Sequence, residues 1–105
     1  MNESRLTLLA KYLEEDPHDP FNIYAIATEY KREHPEKAIR YYEQLLTDHP
    51  EYLPTYYHAA ETYQLLDQTD QVEEVYKKGI ELAKSQKETT ALRELQNAYN
   101  EFLFE

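Results

Sequence analysis

The stretch Ile23-Tyr24-Ala25-Ile26-Ala27-Thr28-Glu29-Tyr30 returns 33 residues later as Tyr56-Tyr57-His58-Ala59-Ala60-Glu61-Thr62-Tyr63. Ile23, Ile26, Ala27 and Tyr30 keep the spacing of Tyr56, Ala59, Ala60 and Tyr63. Steps of three, four and seven place residues on one helix face, so each copy reads as an amphipathic helix with a small residue in its packing stripe. A second set follows: Ala38, Tyr42, Leu45, Leu46 and Pro50 return 34 residues later as Val72, Tyr76, Gly79, Ile80 and Lys84. Each unit is therefore two helices with a short connection, and the change from 33 to 34 puts a one-residue insertion in that connection.

The register runs past both units. Stepping back from Tyr42, Leu46 and Pro50 lands on Leu9, Leu13 and Pro17, an orphan second helix. Stepping forward from Tyr56, Ala59 and Tyr63 lands on Leu92, Leu95 and Tyr99, an orphan first helix. The pattern predicts an all-α solenoid of antiparallel helix pairs, about six helices in the order B, A-B, A-B, A. A single domain over 1–105 results, with an N-terminal half-repeat helix at 2–16, repeats at 20–52 and 53–84, and a capping helix at 87–104. Three stacked pairs are about the minimum that buries enough surface for a repeat array to stand.

Helix punctuation falls at the same joints. Asp19-Pro20 supplies a capping oxygen and a residue preset for the first turn, and Pro35 and Pro54 open two more helices in the same way. Thr69 is the expected cap of the fifth helix, and Ser85-Gln86-Lys87-Glu88 has capping-box spacing before the sixth. Gly79 falls mid-helix, at a cost of about 1 kcal/mol relative to Ala, which close packing against the first helix of the next unit would explain. Gln96 stands where the other first helices carry Ala, which marks the last helix as a solvating cap.

This pattern resembles the tetratricopeptide repeat family. Ile23, Ile26-Ala27, Tyr30, Ala38, Tyr42 and Pro50 match its consensus, and Tyr56, Ala59-Ala60, Tyr63, Val72 and Tyr76 form a second copy. Ile23 replaces the usual Trp, Ala59 the Leu, Val72 the small Ala and Lys84 the closing Pro. The resemblance covers residues 5–104 and implies a right-handed solenoid whose first helices line a concave face. By the same resemblance Tyr24, Thr28 and Lys31 in one unit, and Tyr57, Glu61 and Gln64 in the next, are groove positions. Tyr24 and Tyr57 there either present an aromatic platform to a partner or cover the neighbouring helix. Relatives that clamp the C-terminal carboxylate of heat-shock chaperones use Asn, Lys and Arg, where this chain has Tyr24, Thr28, His58, Glu61 and Ala91; a chaperone tail is not the expected ligand.

Composition narrows the function further. The 105 residues hold one Gly, no Cys and no Trp, but 11 Tyr. One Gly leaves little for phosphate-cradling loops, and the absence of Cys removes disulfides, thiol nucleophiles and thiolate metal sites, which suits a cytoplasmic location. The net charge of −10, split evenly between the halves, is the wrong sign for nucleic acid. It is read as a solvated surface or as attraction to a basic partner segment. The N-terminal stretch is neither a signal peptide nor a membrane span, so no membrane is expected.

His18, His34, His49 and His58 never stand three or four apart, and Glu14-Glu15 and Glu73-Glu74 are sequence neighbours whose side chains diverge on a helix. No metal, cofactor or catalytic residue is assigned, and an enzyme using Glu61 and His58 is the weakest reading. Tyr30, Tyr42, Tyr63, Tyr76 and Tyr99 are expected in the core with their hydroxyls at the surface. Two function classes remain: a non-catalytic module that binds a peptide or helix of another protein, and a self-associating protein dimerising through its terminal helices at Phe102, Leu103 and Phe104.

Overall fold

The computed structural model describes residues 3–105, so the expected start of the first helix at residue 2 lies outside the described residues. Six helices follow one another: α1 (Glu3–Glu15), α2 (Pro20–Tyr30), α3 (Pro35–Asp48), α4 (Pro54–Leu65), α5 (Thr69–Ser85) and α6 (Thr89–Leu103). No strand occurs among the described residues. Each helix packs on its sequence neighbours, and α2 also touches α4, which builds a helical-repeat solenoid of 38 × 28 × 21 Å.

Small side chains set the closeness of each pair. Ala27 with Ala38, and Ala60 with Val72, are fully buried where α2 meets α3 and α4 meets α5. Tyr42, Leu45 and Tyr76 fill the spaces between. Tyrosine hydroxyls tie units together: Tyr63 of α4 donates to Glu43 of α3 at 2.7 Å, and Tyr99 of α6 donates to Glu73 of α5 at 3.1 Å. Tyr42 departs from the surface-reaching expectation, because its hydroxyl is 2.8 Å from Thr28 Oγ1 inside the α2–α3 pair.

Pro20, Pro35 and Pro54 each open a helix, and Asp19 accepts from the Phe21 amide at 3.0 Å. Two expected caps are corrected. Gln68, not Thr69, occupies the N-cap of α5, and Ser85 is the last residue of that helix, its hydroxyl donating to the Leu82 carbonyl at 2.8 Å. The cap of α6 is Glu88.

The physical reason is a C-terminal motif the sequence hides. After α4, Gln68 N–H bonds Tyr63 O at 2.9 Å and Asp67 N–H bonds Gln64 O at 3.1 Å. After α5, Glu88 N–H bonds Ala83 O at 3.0 Å and Lys87 N–H bonds Lys84 O at 3.1 Å. These are Schellman endings, which call for a left-handed residue, and here Asp67 (φ 57°) and Lys87 (φ 58°) fill it without Gly.

Gly79 is explained by a different neighbour from the one expected. A Cβ at this position would stand 2.7 Å from Tyr56 Cβ, on the first helix of its own unit, and 3.4 Å from Leu95 of α6. Gln96 is exposed, as a solvating cap requires.

Candidate functional site

The inner face is built by α2, α4 and α6. Along it runs an open groove of about 980 Å³, reaching from Tyr24 across Tyr57 and His58 to Glu94, Ala98 and Glu101. Its near end is walled by the α3–α4 connection, residues Glu51 to Leu53. That connection is held in place: Tyr56 Oη donates to Pro50 O at 2.6 Å, and Gln86 Nε2 donates to Glu51 O at 2.8 Å. Backbone carbonyls satisfied this way keep an irregular segment fixed beside the groove.

Rings gather around His58. The Tyr24 ring stands edge-on to it at 5.4 Å and the Tyr57 ring at 5.5 Å, and Tyr52 meets Tyr24 at 5.9 Å. Tyr24 and Tyr57 therefore share a surface through His58 instead of touching directly. Burial raises the Tyr24 and Tyr52 hydroxyls above the usual phenol range. Tyr57 is raised mainly by the Glu61 charge, then by burial and by Glu101 and Glu94. All three stay neutral donors at physiological pH.

The other expected groove residues serve elsewhere. Thr28 is bonded to Tyr42. Lys31 donates to Glu61 and stands 3.1 Å from His58 Nδ1, joining α2 to α4. Gln64 is half-buried and, with Thr28, Lys31 and Glu61, lies outside the lining of the groove. Phe102 turns inward against Tyr76 at 6.4 Å and Tyr99 at 6.5 Å, while Leu103 is 48% and Phe104 87% exposed.

Sequence reasoning did not assign Tyr52, Glu94 or Glu101 to the groove. Tyr52 comes from a connection, where helical periodicity carries no signal. Glu94 and Glu101 were legible in principle, since they stand seven apart with Ala91 and Ala98 on one stripe of an inner helix.

Among the described residues no three His, Asp or Glu side chains come together as a metal site would need. Within the same residues no helix is long and apolar enough to cross a membrane.

Paired helices in a continuous stack, with an aromatic inner groove, define a helical-repeat protein. The chain is similar to a tetratricopeptide repeat domain protein of Salinibacter ruber, with 38% identity to both its solution NMR structure and its crystal structure. The match to the NMR structure has a TM-score of 0.77 and covers 83% of this chain and 89% of that one. For the crystal structure the TM-score is 0.75, with 80% and 96% covered. The chain belongs to the tetratricopeptide repeat family, whose fold serves generally as a protein-interaction module. Neither a family model nor a curated protein matches it.

Proposed function

We propose that this chain is a non-catalytic binding module that holds a peptide or helix of another protein in its inner groove. The observation that carries the reading is the ring cluster of Tyr24, Tyr52, Tyr57 and His58 at the groove wall. Rigid aromatic side chains fixed on helices bury area at low entropic cost and dominate many binding surfaces. Lys31 bonds His58 and Glu61 across α2 and α4, and the Lys31, Glu61 and Gln64 side chains stand outside the lining that makes the contact. The division into repeats at 20–52 and 53–84, with half-repeats at either end, belongs to the same proposal, as does a cytoplasmic location. Nucleic acid and a chaperone carboxylate tail are excluded from it by the acidic charge and by the missing Lys and Arg clamp.

The test is the double variant Tyr24→Ala/Tyr57→Ala, compared with the parent in affinity capture of the native partner and in solution mass by light scattering. Loss of the partner with unchanged mass and helicity supports the groove; retention at full strength removes it.

A second reading, self-association, is favoured by the exposure of Leu103 and Phe104 at the end of α6. Leu103→Ser/Phe104→Ser would lower the solution mass under that reading and leave it unchanged under the first.

A further inference from the structure

The groove carries a charge pattern that its aromatic wall does not explain. Its charged lining side chains are Glu51, Glu88, Glu94 and Glu101, with no Lys or Arg. Among the described residues Glu88, Glu94 and Glu101 enter no salt bridge, whereas Glu29, Glu61, Glu73, Glu74 and Glu81 each pair with a cation. Lys31, on the same inner face, is held by Glu61 and His58 and does not neutralise them.

Geometry separates these carboxylates. Glu94 and Glu101 stand two turns apart on α6, about 10 Å along its axis. Ala91 and Ala98 share that stripe and project only methyl groups, so both carboxylates rise clear beside an open floor. Tyr57 faces them from α4, near enough for both charges to act on its hydroxyl. Two carboxylates at that distance are too far apart to share one cation, but they match two cationic side chains of an extended segment, in which residues three apart are spaced about 10 Å. A second copy of the chain, itself at −10, and any polyanion are repelled.

We infer that the segment held in the groove is basic: an extended stretch of a partner protein with two Lys or Arg residues three positions apart, their heads on Glu94 and Glu101 and their stems on the Tyr57 side of the groove. The inference rests on the groove reading above and adds the partner's chemistry. Aromatic faces and carboxylates are complementary to the same cation, the ring receiving the desolvated stem and the carboxylate the charge.

The test uses two ten-residue peptides of Pro and Leu, one with Arg and the other with Glu at every third position, titrated into isotopically labelled protein at physiological salt. The Arg peptide is expected to shift the amides of Tyr57, Glu94, Ala98 and Glu101. Glu94→Gln/Glu101→Gln should weaken it about fivefold, the scale of two exposed ion pairs, and Glu14→Gln/Glu15→Gln on α1 should leave it unchanged. Equal weakening by both variants would show general charge attraction and overturn the proposal. Groove shifts with the Glu peptide instead would overturn the basic partner while leaving the groove as a binding site. If neither peptide moves the groove amides, the basic segment is refuted, and the Tyr24→Ala/Tyr57→Ala capture decides the groove by itself.

Discussion

Lys31 Nζ in α2 lies 3.1 Å from His58 Nδ1 in α4. An ammonium has only donors, so Nδ1 is the acceptor and the ring proton sits on Nε2. The same ammonium donates to Glu61, and the three side chains fasten the inner helices of successive units. His58 is held below the usual imidazole range first by burial and then by the Lys31 charge, against the opposing pull of Glu61.

Stability should therefore fall as pH drops through the imidazole range. The folded protein resists protonation at His58 while the unfolded chain accepts a proton at an ordinary value near 6.5. The contribution is fully present above that value and is lost below it, as the unfolded state takes up the proton first. Urea unfolding at pH 7.5 and 5.5 checks this. The midpoint should drop more for the parent than for His58→Gln, since His18, His34 and His49 are common to both. Equal drops would remove His58 as the cause.

Thr28→Val should destabilise the protein by about 1–2 kcal/mol, because it leaves the buried Tyr42 hydroxyl without a partner. Thr28→Ser should restore most of the loss by keeping the bond. If Val is tolerated and Ser is not, the side chain matters through its methyl group and not through Tyr42.

The fold was legible because repetition amplifies a weak signal: Ala27 and Ala60, or Tyr42 and Tyr76, carry little information alone and a great deal in register. Pro20, Pro35 and Pro54 marked helix starts because a missing N–H costs nothing at the first turn. Helix ends were obscured, since Asp67 and Lys87 adopt the left-handed conformation where Gly would have announced it. The site was half legible. Tyr24 and Tyr57 reach the groove, but Thr28, Lys31 and Glu61 are drawn into bonds across the α2–α3 and α2–α4 contacts, which no single-helix pattern encodes.

Gly79→Ala should be destabilising despite a gain of about 1 kcal/mol in helix propensity. The added methyl would stand 2.7 Å from Tyr56 Cβ, an atom next to the backbone that no rotamer change can move. Separating α4 from α5 to admit it should cost about 1–3 kcal/mol net, read from the thermal midpoint. A more stable Ala variant would show that the interhelical gap yields freely.

Lys87→Gly should act in the opposite sense. Lys87 is exposed and sits at φ 58° in the turn between α5 and α6, where its Cβ crowds the following carbonyl. Gly relieves that crowding and leaves the two turn hydrogen bonds, Glu88 to Ala83 and Lys87 to Lys84, in place. Its greater freedom in the unfolded chain offsets part of the gain, so the net stabilisation should be about 0.5–1 kcal/mol. Asp67→Gly, in the equivalent turn after α4, should gain less, because Asp tolerates the left-handed region better than Lys does. Urea midpoints for the two variants test both the sign and the order. A loss of stability at Lys87→Gly would mean that its side chain contributes more to the α5–α6 turn than its backbone conformation costs.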